Sequence, residues 1–450
     1  MQCLGGPALA HLISSLEAAP AARKWPIEEG PDTPKICLAP GDGGGPLPAS
    51  LQPQASGTAT AGAPGRGGRG GGYGGYLAPR TDAAPAAPAD PNARFNLDAA
   101  YQRIRQLGVS HLLGVGIGPA PWTVESVSRA VQTAKAAGLV AYNSMLGLPN
   151  SVLYGKETRA KDMESVIASI EAAGKGGLSV VEYNFYAHRA IEGYYETVGR
   201  ARSGYTGFDY ELELLVDENG AVVQPVYRDE RGQITPESLA AFPNARKVKF
   251  KDLPPLANEG VHNLEEMWSN ITYFLRAAVP AAEKAGVRLA LHPNDPPSPI
   301  SRKSEQIMGT VAGWKRLIEI VKSPANGITF DCGVTREMGE DPVAVAEYFT
   351  SRKRVNHVHY RNVIVEKPYE KYQEVFVDAG MADMFGVMKA IVRNRYNGTI
   401  YPEHPRALDA DRDRVPGGRI PGYPGGGGYA GIAYSVAYTR AMLQAALSSV

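Results

Sequence analysis

Cysteine is scarce: Cys3, Cys37 and Cys332 are the whole supply in 450 residues. An odd, scattered set argues against a disulfide framework and against a cysteine-based zinc cluster. Long apolar runs are missing too. No stretch of about 18 apolar residues occurs, which argues against a membrane-spanning helix. Nor does either sign of charge dominate: 47 Lys and Arg face 46 Asp and Glu, for a net charge of +1. That balance offers nucleic acid or an anionic membrane no electrostatic handle. Large apolar residues are few over 42–93, a stretch dense in Gly, Pro and Ala. Such a segment cannot bury enough surface to offset its ordering entropy, and we read it as a disordered insertion. Arg66 and Arg69 stand among the glycines of Gly65 to Gly75. An RNA-binding reading of that run is weaker than a flexible loop. Residues 4–16 are small and apolar, with Ala18, Ala19, Ala21 and Ala22 just after, loosely like the end of a secretion signal, but the usual positive start is absent. The expected location is cytoplasmic, or exported if residues 1–22 are a signal remnant.

After Phe95 short β-branched or apolar runs alternate with amphipathic stretches. Strands are predicted at 34–39, 110–116, 139–145, 178–185, 287–292, 327–331, 355–360 and 398–402. Helices are predicted at 97–107, 122–137, 157–174, 262–284, 306–322, 340–352, 383–394 and 429–447. In the fourth of these, Leu264, Met267, Ile271, Phe274, Leu275 and Ala278 recur at helical spacing and form one apolar face. Strand–helix alternation implies parallel strands with helical crossovers, and eight units point to an α/β fold closed as a (β/α)8 barrel. An open doubly wound sheet is second choice, because no GxGxxG follows the first strand; Gly114, Gly116 and Gly118 read as a tight turn. The domain plan is an N-terminal extension at 1–33 and a barrel at 34–450, interrupted by 42–93. Residues 190–258 are too long for a plain loop and suggest a cap over the rim.

Barrels of this kind carry their active sites at the C-terminal strand ends. The predicted strands end in Tyr183-Asn184-Phe185, in His292, in Asp331-Cys332-Gly333, in His357-Val358-His359-Tyr360-Arg361-Asn362 and in Glu403-His404. His292, Asp331, His359 and Glu403 converge as a mixed nitrogen and oxygen cage, suited to Mn²⁺ first, or Mg²⁺, Fe²⁺ or Co²⁺. His357 and His359 share a strand face, and only His359, nearer the rim, should reach a metal; His357 reads as a buried hydrogen-bonding residue. Asp331 and Cys332 alternate, so only one faces inward, and Asp331 is preferred. Asn294 and Asp295 serve a turn as readily as a substrate. Arg361 is placed to hold a carboxylate with two hydrogen bonds, unless it forms an exterior salt bridge.

At these motifs the chain resembles the mannonate dehydratases, metal-dependent enzymes of the xylose-isomerase-like barrel superfamily. The resemblance runs from about Asn92 to Val450. It rests on Tyr183-Asn184-Phe185, on His292-Pro-Asn-Asp-Pro-Pro297, on Thr329-Phe-Asp-Cys-Gly333, on His359-Tyr-Arg-Asn362, on Tyr401-Pro-Glu-His-Pro-Arg406 and on Pro421-Gly-Tyr-Pro424. It implies that the family's His, Cys, His and Asp ligands fall on His292, Asp331, His359 and Glu403, and its acid/base pair on His404 and Tyr423. Asn184, Arg361 and Asn362 are the expected substrate contacts. Asp331 stands for a Cys, Glu403 for an Asp and Asn294 for an Asp, and glycine-rich 424–428 interrupts the motif around Tyr423.

The expectation is a metal-dependent lyase that removes water from a sugar acid such as D-mannonate, leaving a 2-keto-3-deoxy acid. Its partner is that small molecule, with no nucleic acid and no membrane, and self-association into a homo-oligomer is left open. A sugar isomerase or epimerase on the same barrel, and a non-catalytic sugar-binding protein, are the rivals.

Overall fold

The computed structural model describes residues 30–44, 76–77, 97–229, 231–256, 259–412 and 423–449. Eight parallel strands close into a barrel. They are β1 (Lys35–Leu38), β2 (His111–Leu113), β3 (Val140–Leu146), β4 (Val180–Tyr183), β5 (Arg288–Leu291), β6 (Asn326–Asp331), β7 (Val355–His359) and β8 (Thr399–Tyr401). Each pairs with its sequence neighbours, and β1 closes the ring by pairing with both β8 and β2. The ring forms because strands such as Val180–Tyr183 and Asn326–Asp331 are buried at every position, as strands packed on both faces must be.

The crossovers are α1 (Leu97–Gln106), α2 (Val124–Ala136), α3 (Arg159–Gly176), α4 (Leu264–Ala285), α5 (Val311–Ile320), α6 (Pro342–Ser351) and α7 (Met384–Arg393), with α8 (Tyr429–Ser449) after β8. α4 shows why they form. The Asn263 side chain accepts from the Glu266 amide at 2.9 Å to cap its start, and Gly286 at φ 71° ends it. Met267, Ile271, Phe274, Leu275 and Ala278 are buried on the barrel. Leu264, expected on that face, is 40% exposed in the first turn.

Residues 1–29 lie outside the described residues, as do 45–75 and 78–93 of the insertion and 94–96 after it. What is described corrects the expected boundary. Asp42 and Gly43, expected in the insertion, belong to a 3-10 turn, Pro40–Gly43, packed so closely on α1 that a Cβ on Gly43 would stand 2.2 Å from the Ala100 carbonyl oxygen. Tyr76–Leu77 pairs in parallel with Tyr227–Arg228, so these two residues are held to the cap and not disordered.

The excursion after β4 does build a cap, but not alone. Tyr194–Val198 and Gly204–Asp209 form an antiparallel sheet with a hairpin after β7, Asn362–Lys367 and Lys371–Val375. That hairpin was not foreseen. Its register sets Glu196, Thr206, Glu374 and Val363 side by side across the four strands.

Where cap meets barrel, His188 lies between two carboxylates. Its Nδ1 is 2.7 Å from Glu259 Oε2 and its Nε2 is 3.0 Å from Glu192 Oε1, an oxygen that also accepts from Arg302 Nε at 2.8 Å. Burial opposes charge on this imidazole, but Glu192 and Glu259 outweigh it and raise its pKa to about 9. A pKa raised on folding stabilises fully below the unfolded value near 6.5 and loses that contribution as pH climbs through 9. We expect His188→Gln to lower stability by about 2 kcal/mol at pH 6, and by much less above pH 9. Urea unfolding at the two pH values checks this; an equal loss at both would show that the charge contributes nothing.

Candidate active site

Register brings the site together. Asp331 pairs with His359, and His359 with Tyr401, two residues before Glu403. His292 follows β5 directly. Its Nδ1 lies 2.8 Å from the Pro293 carbonyl, to which the Tyr186 hydroxyl donates at 3.0 Å. A carbonyl only accepts, so Nδ1 carries the proton and the Nε2 lone pair is left for the cavity. That Nε2 is 3.2 Å from His359 Nδ1. His359 Nδ1 is 2.8 Å from Glu403 Oε1 and 3.9 Å from Asp331 Oδ2. One donor atom from each of His292, Asp331, His359 and Glu403 lies within 4.8 Å of the others.

These four buried residues could hold a metal ion. Glu403 Oε1 is shut from solvent and faces two positive groups, His359 Nδ1 at 2.8 Å and Arg361 Nε at 3.3 Å, which suits an oxygen that could also meet a cation. Burial, and then the charge of His359, push the His292 imidazole down to about 3, keeping it neutral as a ligand must be. His359 is raised to about 9: burial opposes its charge, but Glu403 overrides burial. A field that holds a proton there also holds a metal cation.

His357 lies deeper in β7, with Nδ1 2.9 Å from Thr399 Oγ1. Cys332 opens a short helix, Cys332–Glu337, capped by Asp331 Oδ1 accepting from the Val334 amide at 2.8 Å. Its thiol belongs to the apolar core, and burial with the Asp331 charge pushes its pKa well up. Asn294 ties its own loop, accepting from the Met308 amide at 2.8 Å and donating to Gln306 Oε1 at 2.9 Å. Asp295 accepts from the Tyr194 hydroxyl at 2.5 Å.

Two expected substrate contacts are occupied otherwise. Arg361 is no exterior residue: 2% exposed, it stands 3.3 Å from Asp295, 3.0 Å from Asp331, 2.7 Å from Glu337, 3.5 Å from Glu374 and 3.3 Å from Glu403. Protein carboxylates take the place expected for the substrate's. Asn362 donates to the Val377 and Ala382 carbonyls and accepts from the Val363 and Ala382 amides, which exhausts its amide on the loop before α7. Asn184 differs. Its Nδ2 meets Met145 Sδ at 3.2 Å, and its Oδ1 is buried without a partner.

His404 and Tyr423 stack with ring centroids 4.7 Å apart and planes 30° from parallel. His404 adopts φ 48°, a left-handed conformation that costs a non-glycine residue on the order of 1–3 kcal/mol. Tyr423 is brought over by a loop only glycine allows: Gly425 sits at φ 67°, and a Cβ there would be 2.2 Å from the Tyr205 carbonyl oxygen.

Two further residues escaped the sequence reading. Glu374 accepts from both His404 Nδ1 and the Tyr423 hydroxyl. The β-branched run Val363-Ile364-Val365, with Pro368 soon after it and Tyr372 and Val375 beyond, could have signalled its hairpin. Arg189 lies among Tyr186, Tyr194, Asp295 and Tyr423, close enough to share their electrostatic field. No local pattern marks it.

Known proteins give the arrangement its class. Mannonate dehydratase of Streptococcus equi subsp. zooepidemicus is 29% identical over 317 residues, covering 69% of this chain and 81% of the relative. That of Enterococcus faecalis is 29% identical over 330 residues, covering 70% and 88%. The crystal structure of mannonate dehydratase from Streptococcus suis serotype 2 aligns with a TM-score of 0.59 at 23% identity, covering 80% of this chain and 93% of that one, and shares the barrel. The chain is a sugar-acid dehydratase, a hydro-lyase built on a (β/α)8 barrel. More narrowly, residues 98–449 match the D-mannonate dehydratase (UxuA) family, and the chain belongs to it.

The site makes one structural demand. Without Arg361, the carboxylates around it lose their counter-charge in a dry environment. We expect Arg361→Met to destabilise the fold by about 3–5 kcal/mol, the usual cost of breaking one side of a buried ion pair. Chemical denaturation checks this; wild-type stability combined with a raised KM would return Arg361 to substrate binding.

Proposed function

We propose that the substrate is D-mannonate or a close aldonic acid, and that Mn²⁺ is held by His292, Asp331, His359 and Glu403. The observation that carries this reading is the convergence of these four donors within 4.8 Å, on the rim where His404 and Tyr423 stack. Two imidazoles and two carboxylates, with no thiolate, favour a hard or borderline divalent ion. When bound, the metal supplies Lewis-acid stabilisation of the negative charge that develops beside the substrate carboxylate.

Arg189 takes the substrate carboxylate in this scheme. Its Nε is closed to solvent without a hydrogen-bond partner, and no carboxylate among the described residues forms an ion pair with it. An arginine fork left open in an active site is suited to a planar anion. Asn184 Oδ1 is placed to accept from a substrate hydroxyl. His404 and Tyr423 form the acid/base pair. The C–H bond beside the carboxylate breaks and its electron pair forms the new C=C bond. The C–O bond at the next carbon breaks in turn, and the departing hydroxide takes a proton and leaves as water. The enol left behind tautomerises to a 2-keto-3-deoxy acid. A cytoplasmic location fits the scarcity of cysteine, three residues in 450. Among the described residues, no helix is long and apolar enough to cross a membrane.

The test is a panel of aldonic and uronic acids with added Mn²⁺, read by mass spectrometry. Loss of one water, with D-mannonate preferred, is the expected result. A product of unchanged mass would favour an isomerase, and a different preferred acid would replace D-mannonate. Elemental analysis should find about one divalent ion per chain, lost in His359→Ala and kept in His357→Ala; equal loss in both would refute the ligand set. Arg189→Gln should raise KM about 30-fold, the equivalent of about 2 kcal/mol for a lost charge-assisted hydrogen bond. An unchanged KM would remove Arg189 from substrate binding.

A further inference from the structure

Among the buried acids at the rim that belong neither to the cage nor to the acid/base pair, Glu374 touches both members of that pair. Glu374 is 1% exposed and lies on the cap hairpin, not on a barrel strand. Its Oε1 is 3.0 Å from His404 Nδ1 and 2.8 Å from the Tyr423 hydroxyl. Its Oε2 accepts from Arg406 Nη2 at 3.0 Å. We propose that Glu374 is the positioning residue of the dehydration, one carboxylate that orients both members of the acid/base pair. This rests on the reading of His404 and Tyr423 as that pair.

The argument is one of hydrogen-bond direction. An ionised carboxylate can only accept. His404 Nδ1 and the Tyr423 hydroxyl must both donate to it. The imidazole is thereby fixed with its proton on Nδ1 and with Nε2 turned to the cavity, where it lies 3.6 Å from Glu403 Oε2. A carboxylate that fixes a catalytic imidazole in the working tautomer contributes without touching substrate. The stacked rings and the left-handed backbone at His404 leave the imidazole little freedom to turn away. Burial opposes a charge on Glu374, but His404, Arg406 and Arg361 overcome it and hold its carboxyl down to about 2.

A second cation site is the competing use of the same atoms, since Asp295, Glu374 and His404 also approach within 4.8 Å. Arg361 already stands 3.3 Å from Asp295 and 3.5 Å from Glu374. Unlike the four-residue cage, this cluster also has a second guanidinium on it, Arg406 at 3.0 Å from Glu374 Oε2, and the metal content of Glu374→Gln separates the two uses.

The experiment uses protein loaded with diamagnetic Mg²⁺ and labelled with ¹⁵N and ¹³C in histidine. Resonances missing from His404→Gln identify His404. In neutral imidazole the wild type should show the proton on Nδ1; a proton on Nε2 overturns the proposal whether or not any variant folds. In Glu374→Gln, kcat should fall about 100-fold, the usual scale of one acid–base contribution, with KM within about 3-fold and metal content unchanged. Wild-type kcat in Glu374→Gln overturns the proposal, and so does loss of the metal together with activity, which would assign Glu374 to the cage. Retained activity in His404→Gln sinks instead the acid/base reading on which it rests.

Discussion

One guanidinium makes this rim stable enough to exist. Asp295, Asp331, Glu337, Glu374 and Glu403 arrive from four different pieces of chain, Asp331 and Glu337 at the two ends of one short helix, and each lies within ion-pair distance of Arg361. Buried acids at that density repel one another and resist ionisation. The Asp331 carboxyl shows the tension: burial pushes it up to about 7 while Arg361 pulls it back. Because Arg361 follows β7 by two residues, the same side chain joins the ends of β5, β6 and β8 to the cap hairpin. Its position just beyond His359 suggested recognition of substrate; its surroundings make it the hub on which the site is assembled.

The chemistry divides between barrel and cap. The barrel supplies the four candidate ligands, because closed parallel strands bring their C-terminal ends onto one rim. The cap supplies Glu374, through a register that also sets Thr206 and Glu196 beside it. Facing this row is the segment after β8, where Arg406 pairs with Glu374 and Arg412 with Glu196. The glycines after Tyr423, which look in the sequence like a broken motif, let the backbone cross this segment closely: a Cβ on Gly427 would stand 2.3 Å from the Arg406 carbonyl oxygen. A loop of ordinary residues could not lie there and still stack Tyr423 on His404.

Local patterns carried much of this architecture. All eight barrel strands and their helices follow from β-branched runs, amphipathic spacing and caps, each of which acts within a few residues. His292, Asp331, His359 and Glu403 could be singled out because barrel closure is a general geometry: polar residues ending successive strands must meet. Strand alternation by itself said only that one of Asp331 and Cys332 faces inward.

The partners of those residues were not written in any window of sequence. Arg361 looks the same beside a substrate carboxylate as beside five protein ones, and only packing tells the two apart. Asn362 looks like a ligand contact until its amide is found holding the loop before α7. Glu374 is one acid among 46 Asp and Glu until antiparallel register sets it beneath His404 and Tyr423. The sequence by itself determined the barrel and the residues that line its mouth, since periodicity and closure are properties of short segments repeated. Tertiary structure decided which charges neutralise one another and which stay open to a ligand, because Coulomb energy and desolvation depend on distances between segments far apart in the chain.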